Sequence, residues 1–171
     1  MDQQPKSKKV VIVEDNQDLA EIYKTRIELL GHKVSVASDG IAALYLIQKE
    51  LPDLVLLDLM VPAVAGDEIL KRMRSSDWGK SIPVFIISNL NEADAPAGLR
   101  ALNITGYVVK AELSGDGLDK IVNAVLETPD IQELGPAPQT GPMANSEMST
   151  PPSNTASSET SDGDSVHHEP L

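Results

Sequence analysis

The sequence of 171 residues contains no cysteine. Disulfide bridges, thiolate nucleophiles and cysteine-based zinc sites are therefore excluded, and a metal ion would have to be bound by oxygen ligands. The N-terminal residues are polar and lack an apolar signal core, and the longest apolar runs are far too short to cross a bilayer. We therefore expect a cytoplasmic protein with no membrane insertion.

Basic residues are absent from the C-terminal part of the chain, where no lysine or arginine follows Lys120. Residues 1–126 carry 14 basic and 18 acidic side chains, whereas residues 127–171 carry no basic and 8 acidic ones. The folded part should thus come first and be only mildly acidic. Because binding to duplex nucleic acid requires clustered lysine and arginine, this balance argues against direct nucleic-acid binding.

Aromatic residues make up only 3% of the chain, and none follows residue 127. Beyond Thr128 the sequence is rich in Pro, Ser, Thr, Gly and Glu, and it has few aliphatic side chains whose burial could offset the entropy of ordering. We therefore predict a disordered acidic tail over residues 128–171. A flexible N-terminus over residues 1–7 leaves residues 8–127 for one domain of ordinary size.

Short β-branched runs alternate with helical apolar periods within residues 8–127, a pattern typical of a parallel sheet covered by helices on both faces. The apolar runs predict strands at 10–13, 34–36, 54–57, 82–87 and 106–109. Apolar and polar residues alternate in the second of these runs, which places that strand near an edge of the sheet. The predicted fold class is therefore α/β, with five strands.

Helices are predicted after the strands from apolar residues spaced three or four apart. The stripe of the first helix consists of Leu19, Ile22, Tyr23, Ile27 and Leu30. The fourth helix, about residues 91–102, contains Pro96 and Gly98, which weaken an exposed helix interior by roughly 3 and 1 kcal/mol respectively. We expect this fourth element to be short, kinked or mobile.

Polar residues stand where the predicted strands end. Glu14 and Asp15 follow the first strand, Asp58 the third, Ser88 the fourth and Lys110 the fifth. In open parallel α/β sheets the ligand site lies outside the carboxyl ends of the strands. The sequence therefore predicts one pocket that contains three carboxylates, a hydroxyl and an ammonium group.

Three carboxylates held close together repel one another unless a hard cation neutralises them, and Mg²⁺ meets this demand with oxygen ligands. Asp15 and Asp58 could bind Mg²⁺ directly, and Glu14 through water. A carboxylate is also a nucleophile toward phosphorus, and phosphoryl transfer depends on neutralising the equatorial oxygens. Lys110 could do this, while Ser88 could donate a hydrogen bond to a phosphoryl oxygen.

The order of these residues, with a Met-Val-Pro loop after Asp58, resembles the receiver domain of two-component response regulators over about residues 8–127. The resemblance implies a flavodoxin-like sheet in the order 2-1-3-4-5. It also implies a phosphoprotein rather than an enzyme, which receives its phosphoryl group from a histidine kinase or histidine phosphotransfer protein and loses it slowly by itself.

By the same resemblance Asp58 is the phosphoacceptor, and the backbone carbonyl of Met60 joins the acidic residues as a ligand of Mg²⁺. Tyr107 matches the switch aromatic of the family, whose ring turns inward when Ser88 moves. Partners would dock on the surface formed by the fourth helix, strand five and the last helix. Since we recognise no second folded domain in the sequence, we expect a stand-alone regulator that acts through protein contacts.

Two residues depart from the family pattern. Ala111 stands where the family usually has proline after its lysine, and Asn89 stands where the residue after the switch hydroxyl is usually very small. These departures leave open an alternative, a receiver-like adaptor that works without phosphorylation. An aspartyl-phosphate phosphatase is disfavoured because Met60 occupies the position of its second aspartate, and the absence of GxxxxGK[ST] and GxGxxG after the first strand disfavours a nucleotide enzyme.

Overall fold

A parallel sheet of five strands forms the centre of the computed structural model, which describes residues 6–127. The strands are β1 (Lys9–Val13), β2 (Lys33–Ala37), β3 (Leu54–Leu57), β4 (Val84–Ser88) and β5 (Gly106–Val109). Their order across the sheet is β2-β1-β3-β4-β5, which confirms the predicted flavodoxin-like α/β fold. The predicted disordered tail (128–171) and residues 1–5 of the predicted flexible N-terminus lie outside the described residues.

Four α-helices cover the sheet within the described residues: α1 (Gln17–Leu29), α2 (Gly40–Glu50), α3 (Gly66–Arg74) and α4 (Gly115–Leu126). Side chains that cap exposed backbone N–H groups explain three of the helix starts. Asn16 accepts from Leu19 N, Asp39 from Ile41 N and Ala42 N, and Ser114 from Gly117 N. Between residues 6 and 127 no helix combines the length and the apolar character that a membrane span requires.

Two apolar clusters lie on the two faces of the sheet, because β1 and β3 are central strands with both faces covered. One cluster lies beneath α2 and α3, and the other beneath α1 and α4. Their largest fully buried side chains include Ile12, Ile27, Ile47, Leu54, Leu56, Leu57, Ile69, Leu70, Met73, Ile86 and Leu118. Ile22, predicted in the stripe of the first helix, is instead 57% exposed on the outer side of α1.

The segment between β4 and β5 differs from the prediction. The continuous helix predicted over residues 91–102 does not form, but the expectation that this element is short is confirmed, because the segment contains two short 3₁₀ turns, Glu92–Asp94 and Leu99–Leu102. Ala95 is extended, as the residue before a proline prefers, and Gly98 has a φ of +82°. The two breakers therefore interrupt the helix rather than bend it, and the buried Leu99 attaches the segment to the core.

Strand β4 begins at Val84, two residues later than the predicted start at residue 82. Pro83 has no N–H to donate to a neighbouring strand, although its carbonyl accepts a hydrogen bond from Val55 N at 2.9 Å. β2 lies at an edge and is only partly buried, as the alternation in its sequence predicted.

Candidate functional site

The acidic residues of the candidate site extend the backbone ladder of the sheet by one residue. Glu14 N donates to the Ala37 carbonyl, and Asp58 N donates to the Val13 carbonyl, both at 3.0 Å. Hydrogen bonds to the neighbouring strands therefore fix where these two side chains leave the carboxyl edge of the sheet.

Lys110 joins two of the strand ends. Its Nζ lies 2.5 Å from Asp58 Oδ2 and 2.6 Å from Glu14 Oε2. The side chains of Glu14 and Asp58 are each only 2% exposed, and that of Lys110 is 9% exposed. The three predicted residues therefore form a buried ionic group, with Asp15 on its exposed side.

Burial and ion pairing act in opposite directions on this group. Burial raises the pKa of Glu14, and the nearby Lys110 limits the rise. Burial by itself disfavours the charged ammonium of Lys110, but its hydrogen bonds and ion pairs with Asp58 and Glu14 outweigh this effect and raise the pKa of Lys110. Lys110 is therefore a permanent cation at neutral pH.

The donor set suits a hard divalent cation. One carboxylate oxygen from each of Glu14, Asp15 and Asp58 lies within 4.8 Å of the others. Three carboxylates against the single ammonium of Lys110 leave an excess of negative charge, and Mg²⁺ prefers such oxygen ligands. Because Asp15 is exposed, the group is open to solvent on the side of this residue. The residues therefore fit Mg²⁺.

The backbone around Asp58 holds its carboxylate in place. Met60 N donates to Asp58 Oδ1 at 3.0 Å, while the Met60 side chain is 59% exposed. A Cβ on Gly66 would lie 2.3 Å from the Asp58 carbonyl oxygen, so only glycine lets α3 begin this close to the strand end. The two oxygens of Asp58 thus have different partners, the Met60 N–H and the Lys110 ammonium.

Ser88 and Tyr107 meet at Leu90 rather than at the carboxylates. The Oγ of the fully buried Ser88 accepts from Leu90 N at 3.4 Å, and Tyr107 Oη donates to the Leu90 carbonyl at 2.7 Å. Burial raises the pKa of the Tyr107 hydroxyl, and a hydrogen bond with Ser88 opposes part of this rise. The neutral phenol therefore remains a donor at physiological pH.

The sequence analysis did not identify Leu90 as the residue that joins Ser88 and Tyr107, because both contacts use its backbone. Side-chain chemistry gives no signal for such a position. The structure brings together Glu14, Asp15, Asp58 and Lys110. It connects Ser88, at the end of β4, with Tyr107, in β5, through the backbone of Leu90.

The residues of this site lie within a region that matches a known protein family. The family model described as the response regulator receiver domain matches residues 10–123. This chain belongs to that family. The match includes all the residues predicted for the pocket, from Glu14 to Lys110.

The receiver domain also has individual relatives of known sequence. The Guillardia theta protein named Probable transcriptional regulator ycf27 is 36% identical over 119 residues, which cover 69% of this chain and 45% of that protein. The Galdieria sulphuraria protein of the same name is 33% identical over 131 residues, covering 76% of this chain and 49% of that protein. The chain therefore spans about half the length of the curated relatives it matches.

Solved structures of whole receivers resemble this chain over the same region. The chemotaxis response regulator CheY4 of Vibrio cholerae is 26% identical, with a TM-score of 0.65 over 70% of this chain and 99% of that one. The Mn(2+)-bound form of the response regulator Rcp1 is 27% identical, with a TM-score of 0.61 over 71% of this chain and 96% of that one.

Proposed function

We propose that this receiver domain accepts a phosphoryl group on Asp58 from the phosphohistidine of a histidine kinase or histidine phosphotransfer protein, in a reaction that depends on Mg²⁺. The observation that supports this proposal is the buried Asp58 carboxylate in contact with Lys110, with Glu14 and Asp15 beside it at the carboxyl edge of the sheet. Receiver domains act as phosphoacceptors rather than as enzymes with a turnover substrate, and we assign this chain the same role.

The proposed transfer forms one bond and breaks one. An oxygen of Asp58 attacks the phosphorus, the bond between phosphorus and the imidazole nitrogen of the donor breaks, and its electron pair stays on the leaving imidazole. The Lys110 ammonium, which already contacts Asp58 Oδ2, is placed to neutralise negative charge on the transferred oxygens. Met60 N, bonded to Oδ1, orients the carboxylate for this attack.

Asp15, Asp58 and the backbone carbonyl of Met60 would hold Mg²⁺ directly, and Glu14 would act through water. When bound, the ion supplies positive charge that neutralises the negative charge spread over the phosphoryl oxygens. The cluster of three carboxylates supports this assignment, as does the relative Rcp1, whose structure is of a form bound to Mn²⁺.

Ser88 and Tyr107 would carry the signal from the site to the surface. The phosphoryl group would draw Ser88 toward it, and Leu90, which hydrogen-bonds both Ser88 and Tyr107, would follow. The surface formed by residues 91–103, β5 and α4 is the proposed docking surface for a downstream protein. The two 3₁₀ turns in place of a continuous helix favour rearrangement here, since they contain fewer repeated hydrogen bonds.

The phosphorylated receiver domain has two candidate outputs. Protein contact is the output we propose for the receiver domain itself. The names of the ycf27 relatives, and their greater length, favour a second candidate in which a receiver of this type controls transcription as part of a longer regulator. DNA binding by the full native gene product, with and without phosphorylation, distinguishes the two.

Intact-mass measurement after incubation with Mg²⁺ and acetyl phosphate tests the acceptor. We expect a single phosphoryl adduct that hydroxylamine removes, that does not form without Mg²⁺, and that is absent from Asp58→Asn. If neither acetyl phosphate nor phosphorylated kinases label the chain, and fluoroberyllate does not bind, the phosphorylation-independent adaptor replaces this proposal.

A further inference from the structure

Arg26 connects α1 to the first two turns of α4, through Asp116 in the first turn and Asp119 just after it. Its Nε lies 3.1 Å from Asp119 Oδ1, and its Nη2 lies 2.7 Å from Asp119 Oδ2 and 3.1 Å from Asp116 Oδ1. The contact with Asp119 is bidentate, the geometry that gives arginine–carboxylate pairs their directional specificity. Asp119 is 29% exposed and Asp116 is 90% exposed, so the pair with Asp119 is the better protected one.

Gly115 makes room for this guanidinium. A Cβ built on Gly115 would lie 2.3 Å from Arg26 Nη1 and 2.5 Å from its Cζ. Gly115 is not among the glycines of positive φ, so the need for glycine comes from space and not from backbone conformation. The arginine therefore lies directly against the backbone where α4 begins.

The start of α4 is weak by its sequence. Gly115 and Gly117 both lie in its first turn, and glycine is the poorest helix former after proline. The buried Leu118 anchors the inner side of this turn in the apolar cluster beneath α1 and α4, while the Ser114 cap and the Arg26 contacts hold its exposed side. Without the Arg26 contacts we expect the exposed side of the turn to fray.

Lys110 lies a few residues before this turn. It begins the 3₁₀ turn Lys110–Glu112, whose closing bond, from Leu113 N to the Lys110 carbonyl, measures 3.2 Å. Ala111 and Glu112 are exposed, and alanine has no ring to restrict φ. The position of the loop therefore depends on its two ends, β5 and the first turn of α4, and on Leu113, which packs against the apolar cluster beneath α1 and α4.

We propose that Arg26 is a positioning residue for Lys110. By fixing the first turn of α4, Arg26 holds the loop 111–114, and thereby keeps the Lys110 ammonium against Asp58 and Glu14. Arg26 and Lys110 also line one groove of about 150 Å³, together with Leu113 and Gly115. The contacts of Arg26 with α4 therefore lie close to the candidate site. This role rests on the proposed transfer of a phosphoryl group to Asp58.

The substitution Gly115→Ala displaces the guanidinium without removing any charged group. We expect the rate of phosphorylation by acetyl phosphate and Mg²⁺ to fall at least about tenfold, because small displacements of a catalytic group cost large factors in rate. Hydrogen exchange of the amides of residues 111–114 should become faster. Alanine is the better helix former, so neither effect could be assigned to a weakened helix.

Gly117→Ala is the matched control in the same turn. Its added Cβ would meet only Ser114 Oγ at 3.2 Å and Leu113 Cδ1 at 3.4 Å, contacts that small adjustments can relieve. We expect phosphorylation and loop exchange close to those of the unaltered chain.

Arg26→Gln completes the cycle. It should reproduce the slower phosphorylation and the faster loop exchange, and adding Gly115→Ala to it should change little more, because the two substitutions remove the same contact. If Gly115→Ala and Arg26→Gln both keep the original rate and the original exchange, Arg26 has no positioning role, while the phosphoacceptor proposal stands. If the unaltered chain accepts no phosphoryl group, the phosphoacceptor proposal fails. Unchanged hydrogen exchange of the loop in both variants would then still overturn the positioning role of Arg26.

Discussion

The Lys110 ammonium lies 2.5 Å from Asp58 Oδ2, in a group whose side chains are almost fully buried. Its second contact, 2.6 Å to Glu14 Oε2, makes one cation the partner of carboxylates that follow two neighbouring strands. A buried carboxylate that loses its partner costs far more than a surface ion pair contributes. Lys110 therefore has a structural role in addition to its proposed catalytic one.

Replacing Lys110 with glutamine should destabilise the protein in the absence of divalent ions. We expect a loss of about 3 kcal/mol in the free energy of unfolding, because Glu14 and Asp58 would remain buried together without a cation. Mg²⁺ should stabilise Lys110→Gln more than it stabilises the unaltered chain. Urea unfolding with EDTA and with Mg²⁺ measures both effects. Lys120→Gln, at an exposed position of α4, is the control, and equal stability of the two variants would contradict the prediction.

The bond from Tyr107 to the Leu90 carbonyl gives a second prediction. Tyr107→Phe should lose about 1 kcal/mol of stability, because a half-buried carbonyl is left without its donor. It should also speed hydrogen exchange in residues 89–94, since the start of the segment between β4 and β5 loses its attachment. Tyr45→Phe serves as the matched control, because Tyr45 is 66% exposed on α2. Exchange that is unchanged in Tyr107→Phe would show that the bond does not hold this segment.

The strands could be predicted from the sequence because the sheet imposes a simple rule on them. A strand covered on both faces must be apolar throughout, and β3, which is such a strand, has the predicted bounds 54–57. The predicted bounds 106–109 also match β5, which lies at an edge of the sheet. The convergence of Glu14, Asp58 and Lys110 followed from a second rule, which is that the carboxyl ends of parallel strands lie at one edge of the sheet. The polar residues needed only to be located at those ends.

Other features depend on contacts that sequence spacing does not contain. Arg26 and Asp119 are 93 positions apart, and nothing local in either helix indicates their pairing. The role of Leu90 depends on its backbone. In the segment between β4 and β5, apolar spacing favoured a helix, but the conformations of Ala95 and Gly98 are incompatible with one, so local backbone preferences overrode the periodicity.

Ala63 offers a test of backbone strain near the site. It has a φ of +68°, in the region that disfavours residues with a Cβ, and it lies in the loop between Asp58 and α3. Ala63→Gly should raise the free energy of unfolding by about 0.5–1 kcal/mol, because relief of strain exceeds the entropy that glycine adds to the unfolded chain. Ala97→Gly, at an exposed alanine outside the positive-φ set, should not be stabilising. Equal responses at the two positions in urea unfolding would exclude strain at Ala63.

Asn89 is the residue through which we expect the lifetime of the phosphorylated state to be set. It directly follows the buried Ser88 and is exposed, and the exposed Met60 follows Asp58 closely, so we expect both side chains to border the approach to the acceptor. Hydrolysis of an aspartyl-phosphate requires a water molecule in line with the bond that breaks, and bulky neighbours reduce the access of water to that position. Asn89→Ala should therefore lose its phosphoryl group severalfold faster, as measured by intact mass after removal of the donor. Asn91→Ala, an exposed asparagine two residues further on, should decay at the original rate. If the Asn89→Ala variant also decays at that rate, the side chain of Asn89 does not shield the phosphoryl group, and the slow loss that the family resemblance implies would have to be explained by other residues around Asp58.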